Sequence, residues 1–214
     1  MMGSKQIHLI GAGSLGLQAA DILLAAGQQG EILAYDDNTS LHSSELLPGV
    51  FIQGGIDLVG KLDPGSMVAI AIADTAVRQR IYSNLRQKGY KFPNVVHPAA
   101  VISKFAHIGF GNIIFPGVVI DPAATVGNFV VLNKNSSVGH NAILEDFITI
   151  TPNCTLTCPV DSGVFIGMGA RLLPGSRVGE NSIIGAGAVV NKPIPANVIA
   201  IGVPAKIKEK GMIK

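Results

Sequence analysis

An aliphatic side chain recurs at every sixth position through the second half of the chain, and this spacing constrains the fold more than any other feature. Small residues are frequent four positions after each aliphatic one, and Gly, Asp or Asn often follows it directly. We call this series the ladder. Its members are Val96, Ile102, Ile108, Ile114, Ile120, Val126, Leu132, Val138, Leu144, Ile150 and Leu156, and then, after a step of four residues, Val160, Ile166, Leu172, Val178, Ile184 and Val190.

A period of six fits neither an amphipathic helix nor a half-buried hairpin, whose periods are about 3.6 and 2 residues. It predicts a coil whose flat sides are single short strands. Each strand sends one large aliphatic side chain inward, and the corners need small residues or residues with positive φ. With three sides per turn, the ladder makes roughly five turns. Strands pair rung on rung, so unpaired edges remain only at the two ends of the coil.

The first ~95 residues instead alternate strands and helices, which is typical of a small doubly wound, Rossmann-like parallel sheet. We therefore predict an α/β domain over 1–94 and a coil domain with a C-terminal tail over 95–214. The predicted elements of the first domain are strands at Ile7–Ile10, Glu31–Tyr35 and Met67–Ala73, a helix that ends near Gly27, and a helix over Thr75–Lys88.

A glycine-rich turn, Gly11-Ala12-Gly13-Ser14-Leu15-Gly16, lies between the first predicted strand and the first predicted helix. Asp36 follows about 20 residues later, which completes the context of a dinucleotide-binding fingerprint. In that fingerprint, backbone N–H groups and a helix N-terminus face a phosphate. A nicotinamide-dependent oxidoreductase is therefore a rival interpretation. Against it, the sheet is too short for a complete cofactor domain, and the rest of the chain is a repeat coil.

Composition excludes several other classes of protein. The formal net charge is +2 and no basic stripe occurs, which argues against nucleic-acid binding. No apolar run approaches ~18 residues, and the N-terminus lacks the pattern of a signal peptide. The only two cysteines, Cys154 and Cys158, are too few for a disulfide framework. We therefore expect a cytoplasmic protein without a membrane segment.

Eight stretches carry a likeness to a known family and run in that family's order across nearly the whole chain. Through them the sequence resembles the hexapeptide-repeat acyltransferases, and in particular the PglD-like and NeuD-like sugar acetyltransferases, which have an N-terminal nucleotide-sugar-binding domain. The resemblance implies a left-handed parallel β-helix, acetyl-CoA as acyl donor, a nucleotide-sugar substrate and a homotrimer with active sites between adjacent coils. The stretches are Gly11–Gly16, Tyr35–Asp37, Val96–Ser103, Pro116–Ile120, Leu132–Asn133, Ser136–His140, Ile184–Val190 and Gly202–Lys206, with the His97-Pro98 dipeptide inside the third.

His140 is the candidate general base. An imidazole that titrates near neutrality can take a proton from an amine or hydroxyl as that group attacks a thioester. The resemblance implies this role for His140 and places Asn133 beside it. The family usually has a carboxylate after this histidine, whereas this chain has Asn141, whose amide can orient the ring but cannot stabilise imidazolium by charge. Glu145 or Asp146 is the alternative acid, from a neighbouring position or subunit.

The resemblance also implies two sets of binding residues. The set for the nucleotide sugar is Gly11, Gly13, Ser14, Leu15, Asp36, Asp37 and Ala73. The set for acetyl-CoA is Thr149, Gly167, Met168, Gly185, Ala186, Gly187, Lys192 and Lys206. The family often has a histidine where this chain has Leu15. It usually has a glycine-rich rung where this chain has Thr149–Gly163 with a hexad shortened by two residues.

The remaining histidines and the cysteines receive structural interpretations. His97 belongs to the His-Pro pair that opens the coil, and His107 precedes a ladder residue. Together with His140 they do not have the spacing of a zinc site, so we expect no metal. Cys154 lies at a small inward position, where packing explains it.

The sequence thus predicts an N-acetyltransferase that acts on the amine of a nucleotide-linked amino-deoxy sugar. Two rivals stay open. One is an O-acetyltransferase that acts on a sialic-acid-like hydroxyl. The other is a catalytically silent coil that binds a sugar nucleotide, which the Asn141 substitution and the altered rung favour.

Overall fold

A computed structural model describes residues 6–28 and 31–208 of the chain. The chain divides into two compact units, residues 1–98 and 99–214. The boundary predicted from the sequence, after residue 94, lies a few residues earlier.

The first unit is built on a five-stranded sheet with the order β3-β4-β2-β1-β5. Strands β1, β2, β4 and β5 are parallel, and β3 pairs with β4 in the antiparallel sense at the edge. A short β6 ends the unit. The strands are β1 (Ile7–Ile10), β2 (Ile32–Tyr35), β3 (Glu45–Leu47), β4 (Val50–Gly54), β5 (Met67–Ile70) and β6 (Val95–Val96).

Two α-helices follow β1 and β5, as the alternating pattern predicted. The helix α1 (Ser14–Ala25) buries an apolar stripe that includes Ala19, Ile22 and Leu23. The helix α2 (Thr75–Leu85) begins at Asp74, whose side chain accepts the N–H of Val77 at 2.9 Å. This is the usual way to satisfy an N–H group of the first turn. Three short 3₁₀ turns complete the unit, at Thr39–Leu41, Ile56–Lys61 and Arg86–Lys88.

Two details of this unit differ from the sequence prediction. The strand predicted over Met67–Ala73 ends at Ile70, and the strands β3 and β4 were not predicted. In β4, buried and exposed residues alternate over only five positions between Gly49 and Gly54. So short an alternation is a weak signal in a sequence.

The second unit is the predicted coil, a left-handed parallel β-helix of hexapeptide repeats, which confirms the predicted fold class. Its strands are β7 (Val101–Ile102), β8 (His107–Ile108), β9 (Ile113–Ile114), β10 (Val119–Ile120), β11 (Thr125–Val126), β12 (Val131–Leu132), β13 (Ser137–Val138), β14 (Ile143–Leu144), β15 (Thr149–Ile150), β16 (Thr155–Leu156), β17 (Phe165–Ile166), β18 (Arg171–Leu172), β19 (Ile183–Ile184), β20 (Val189–Val190), β21 (Ile199–Ile201) and β22 (Lys206–Lys208).

The strands stack into three faces. Face 1 contains β9, β12, β15, β17, β19 and β21, and face 2 contains β7, β10, β13, β16, β18 and β20. Face 3 contains β8, β11 and β14, and single bridges at Val160, Val178 and Ile194 continue it. We name the three edges of this prism 1/2, 2/3 and 3/1 after the faces that meet there.

Ladder residues stack on ladder residues along each face. Leu132 pairs with Ile114 on one side and with Ile150 on the other. Every ladder residue from Ile114 to Val190 is at most 1% exposed. Several corners place a residue other than glycine at positive φ, among them Asn135 (57°) and Asn141 (60°). Asparagine tolerates this region better than most residues, which explains its frequency at the corners.

The step of four residues that interrupts the ladder shortens one corner on the 2/3 edge. Val160 bridges Leu144 below it and Val178 above it, so the strands stay in register. A second step of four follows Val190, because Ile194 bridges Val178. The coil ends where β22 pairs antiparallel with β21 and covers that edge. Within the residues that the structure describes, no helix is long and apolar enough to cross a membrane.

Candidate active site

The glycine-rich turn is tightly packed at the carboxyl end of β1. Gly11 has a φ of 104°, and a Cβ there would lie 2.6 Å from the carbonyl oxygen of Ala71, just after β5. A Cβ at Gly16 would collide with the carbonyl oxygen of Gly11. Gly13, by contrast, is exposed directly before the N-terminus of α1, and a Cβ added there would meet no other atom. The turn is thus built for close approach of backbone to a ligand between β1 and β5, where the order of the strands reverses.

Asp36 and Asp37 hold this end of the sheet together through backbone N–H groups. The carboxylate of Asp36 accepts the N–H of Ala12 at 2.7 Å and the N–H of Asn38 at 2.9 Å. Asp37 accepts the N–H of Ile56 at 2.9 Å. Asp36 thus braces the glycine-rich turn. The position of both residues near the nucleotide, which the resemblance implies, stays a prediction.

A cleft of about 430 Å³ adjoins Asp37. Its walls are the 3₁₀ turn after β4 and the exposed side of α2. It combines apolar side chains with charged and amide groups, which suits a flat heterocycle with polar edges. Its lining includes Asp37, Ile56, Val77, Arg80, Asn84 and Lys88.

Arg78 is a residue of this region that the sequence analysis missed. It is fully buried, and its guanidinium donates to the carbonyl oxygens of Ile72 (2.6 Å) and Ala73 (3.2 Å). Burial lowers its pKa to about 10, although the nearby Asp74 opposes this shift. Arg78 therefore fixes the segment after β5 and with it Ala73. The only signal in the sequence was an arginine four residues after a helix N-cap, a spacing with many other causes.

His140 lies with Asn141 on an exposed two-residue turn of the 2/3 edge. The side-chain amide of Asn141 is in contact with the ring, with 3.0 Å between its Nδ2 and Nδ1 of His140. A 180° rotation of the amide would bring Oδ1 to the same place, where it accepts a proton from Nδ1. Nε2 would then carry the lone pair, which is the tautomer that a general base needs.

The carboxylates of Glu145 and Asp146 make their described contacts elsewhere. Glu145 accepts the N–H and the hydroxyl of Ser162, both at 3.0 Å. Asp146 accepts the N–H and the side-chain amide of Asn128. Both contacts join successive rungs of the coil. Of Asn141, Glu145 and Asp146, it is therefore Asn141 whose side chain is in contact with His140.

The structure places the other predicted residues of the coil on different edges. Asn133 lies at the other end of the same rung from His140, and its side-chain oxygen accepts the N–H of Lys134 at 2.8 Å. Met168 and Ala186 occupy successive corners of the 1/2 edge, as does the neighbouring Gly187. Lys192 lies on the 2/3 edge. Lys206 lies in β22 and Thr149 is buried on face 1.

Packing between rungs accounts for two of the predicted cofactor glycines. A Cβ at Gly167 would lie 2.5 Å from the backbone nitrogen of Ala186, and a Cβ at Gly185 would lie 2.6 Å from the side chain of Ile201. Gly187 has open space at its Cβ and a φ of 66°. Of the three, Gly187 alone presents an open surface to a ligand.

The two cysteines are buried, as expected of packing residues. Burial raises the pKa of both the Cys154 and the Cys158 thiol. Cys154 donates to the carbonyl oxygens of Thr151 and Gly167. In the described part of the chain, no group of three or more His, Cys, Asp or Glu side chains could hold a metal ion.

Comparison with known families matches both units. The PglD N-terminal domain family matches residues 6–85, and the bacterial transferase hexapeptide family matches residues 160–192. The chain thus combines the two family domains of the PglD-like hexapeptide-repeat acyltransferases, in the same order. This combination supports the predicted family and, with the relatives described next, the predicted class of enzyme, an acyltransferase.

Solved structures resemble this PglD-like chain over nearly its full length. The acetyltransferase domain of PglB from Neisseria gonorrhoeae, in complex with acetyl coenzyme A, is 29% identical, with a TM-score of 0.85 over 96% of this chain and 100% of that one. PerB from Caulobacter crescentus, in complex with CoA and GDP-perosamine, is 28% identical, with a TM-score of 0.77 over 97% of this chain and 98% of that one.

Curated relatives match shorter parts of the PglD-like chain. GDP-perosamine N-acetyltransferase of Escherichia coli O157:H7 is 33% identical over 145 residues, which are 64% of this chain and 65% of that protein. The chain spans only 38% to 45% of the length of the first three curated relatives that it matches.

Proposed function

We propose that this chain transfers an acetyl group from acetyl-CoA to the amine of a nucleotide-linked amino-deoxy sugar. The main support is the combination of units, a phosphate-binding type of turn on a parallel sheet followed by a coil with an exposed histidine. Structures that share this combination hold acetyl coenzyme A, or CoA and GDP-perosamine. The oxidoreductase interpretation explains only the first unit.

The glycine-rich turn would bind the diphosphate of the sugar nucleotide. The exposed Gly13 and Ser14 present backbone N–H groups at the N-terminus of α1, where an anion is stabilised. Gly11 and Leu15 shape the turn, and Ala73 forms the opposite wall. The cleft beside Asp37 would take the nucleotide base, since it joins apolar walls to polar groups. Asp36 would act on this site indirectly, because it orients the N–H of Ala12.

His140 would act as the general base. The amine nitrogen attacks the carbonyl carbon of the thioester, the C–N bond forms and the C–S bond breaks. Nε2 of His140 accepts the proton that the nitrogen loses and returns it to the departing thiolate, which leaves as CoA. Asn141 would hold the ring in the required tautomer through its amide oxygen. Asn133, which lies on the 1/2 edge, would orient the acceptor from an adjacent copy of the coil.

Acetyl-CoA would bind along the outside of the coil, with the exposed Met168, Ala186 and Gly187 along its path and Lys192 and Lys206 at its phosphates. Thr149, Gly167 and Gly185 would shape this surface through their packing. We further propose a cytoplasmic homotrimer. Outward-facing apolar side chains on face 2 support it, since Val101 and Val119 are 63% and 39% exposed. Adjacent coils would cover such residues.

Release of the CoA thiol tests this proposal directly. We would measure it with acetyl-CoA and a panel of UDP-, dTDP- and GDP-linked amino sugars, together with free sialic acid. We expect turnover with an amino-sugar nucleotide and a loss of about 10²- to 10⁴-fold in His140→Ala, the usual contribution of a general base. His107→Ala is the matched control, because His107 is an exposed histidine of the coil outside the proposed site.

Each alternative has its own outcome in this assay. Turnover of sialic acid alone would replace the amine acceptor with a hydroxyl. Turnover by His140→Ala at the wild-type rate would remove His140 from the mechanism. Absence of turnover with every acceptor would favour the catalytically silent coil.

A further inference from the structure

The 2/3 edge of the coil is interrupted directly above the proposed base. A full corner of this edge projects as a two-residue turn, as at Pro122–Ala123, His140–Asn141 and Pro174–Gly175. The corner between the last two, at Thr157–Pro159, has only a bend at Cys158, because the ladder steps by four residues from Leu156 to Val160. About 7 Å of extended backbone is therefore absent from that corner.

The shortened corner leaves a slot between two projecting turns. Hydrogen bonds fix the order of the rungs. The backbone N–H of Gly139 donates to the carbonyl oxygen of Leu156 at 2.8 Å, and the backbone N–H of Thr157 donates to the carbonyl oxygen of Leu172 at 3.1 Å. Successive rungs are about 4.8 Å apart, so the turns at 140–141 and 174–175 are separated by about 9.6 Å. A hydrocarbon chain midway between them would have about 4.8 Å to each backbone, and carbon atoms make contact at about 3.5–4 Å. The slot has room for one such chain.

Apolar side chains form one part of the walls of the slot, beside the polar turn at His140–Asn141. Ile143 and Leu173 are 48% and 39% exposed, and Pro159 and Pro174 lie beside them. Arg177, on the rung above Pro159, is paired with Asp161. The hydroxyl of Thr157 is directed away, because it donates to the carbonyl oxygen of Leu172 at 2.6 Å. Hydroxyl groups of a sugar would find no hydrogen-bond partner in the side chains of Ile143 and Leu173. Methylene groups lose nothing there and are removed from water.

The acyl group is the part of the substrates that would lie next to the slot. A nucleophile hydrogen-bonded to His140 lies about 3 Å from the ring, and the carbonyl carbon it attacks lies about 3–3.5 Å beyond. The slot begins one rung away from the same turn. This argument rests on the proposed role of His140. We propose that the shortened corner is an acyl-specificity device, and that the enzyme transfers acyl groups longer than acetyl, propionyl first among them, through the same exchange of C–S for C–N bonds.

The test compares acetyl-, propionyl- and butyryl-CoA with one amino-sugar nucleotide. A wall that excludes one methylene typically discriminates by about 10- to 200-fold. We expect kcat/KM for propionyl-CoA to lie within about 10-fold of the value for acetyl-CoA in the wild type. Insertion of Asn-Gly between Thr157 and Cys158 restores a six-residue step, and we expect it to raise the acetyl-to-propionyl ratio by at least about 10-fold. Ile143→Phe fills the same slot without an insertion and should act in the same direction.

The control is an Asn-Gly insertion between Glu180 and Asn181, which lengthens a corner of the 3/1 edge by the same amount. It should leave the acyl preference unchanged. The proposal is overturned if the wild type uses acetyl-CoA but rejects propionyl-CoA by about 100-fold or more. It is also overturned if both slot-filling variants keep the wild-type ratio. Absence of turnover with all three donors would instead refute the proposed function, and the slot proposal with it.

Discussion

Replacement of Asp36 by alanine should loosen the glycine-rich turn even when no nucleotide is present. The carboxylate accepts two backbone N–H groups, from Ala12 at 2.7 Å in a partly buried position and from Asn38 at 2.9 Å in an exposed one. A hydrogen bond to a charged group contributes about 1.5–3 kcal/mol when water cannot replace it. The exposed bond contributes little, because water takes its place. We therefore expect the turn to lose about 2 kcal/mol of local stability.

Hydrogen–deuterium exchange of the ligand-free protein measures this loss. A change of about 2 kcal/mol corresponds to roughly 30-fold faster exchange at the amide of Ala12, since each 1.4 kcal/mol is about tenfold. Asp36→Asn keeps the shape and one acceptor without the charge, so we expect an intermediate effect of about 1 kcal/mol. Peptides from the coil, such as those that contain Leu132, are internal controls and should exchange at the wild-type rate.

The reasoning fails if exchange at Ala12 is unchanged in both variants while nucleotide-sugar affinity falls. That result would make Asp36 a ligand contact, as the sequence fingerprint alone suggests. Asp37→Ala distinguishes the effect of Asp36 from that of its neighbour. The carboxylate of Asp37 accepts the N–H of Ile56 in an exposed position and does not contact Ala12. Exchange at Ala12 in this variant should therefore be the same as in the wild type.

Three further changes have expected outcomes. Ile120→Ala should lower the free energy of unfolding, measured in urea, by about 2–5 kcal/mol, because this ladder residue is 1% exposed. Val119→Ala, on the outer side of the same strand, should lower it by about 1 kcal/mol or less. Equal losses of stability would contradict the inward ladder. Gly16→Ala should weaken nucleotide-sugar binding by at least about 10-fold in a titration, because the added Cβ collides with the carbonyl oxygen of Gly11. Unchanged affinity would show that the turn can relax. Asn141→Asp should move the acid limb of the pH profile of kcat/KM to higher pH, because a carboxylate beside the ring favours its protonated form. The shift should be no more than about one pH unit, because the pair is exposed. An unmoved acid limb would show that residue 141 does not affect the protonation of the base.

The coil could be predicted almost completely because every rung repeats the same local requirement. An inward aliphatic residue such as Leu132 meets the same environment as Ile114 and Ile150, so one rule is stated in the sequence many times over. Even the shortened corner is visible, as a step of four residues. The ladder was predicted to end at Val190, however. Its continuation to Ile194 was missed because a second short step interrupts the spacing there.

The details of the first unit were less predictable because they depend on contacts between distant positions. A sequence motif indicates that Asp36 belongs to a nucleotide site, but not that its carboxylate turns back to Ala12, 24 residues away. Arg78 lies on a helix whose exposed pattern gives no reason to expect full burial. Its partners, the carbonyl oxygens of Ile72 and Ala73, are main-chain atoms, and these carry no residue-specific signal.

The distribution of the predicted catalytic and cofactor residues over the coil is itself an argument about assembly. His140 lies on the 2/3 edge, whereas Ala186 and Gly187 lie on the 1/2 edge. The width of face 2 separates these edges, about four to five extended residues or roughly 15 Å. A thioester carbonyl within reach of His140 is therefore too far from Gly187 of the same chain for both to contact the acyl group. Two edges of one convex prism also cannot face each other. The residues of both edges can surround one thioester only if two copies of the coil bring the 2/3 edge of one copy to the 1/2 edge of the other. A closed ring of three copies does this at each of its three interfaces, and the three interfaces are equivalent by symmetry.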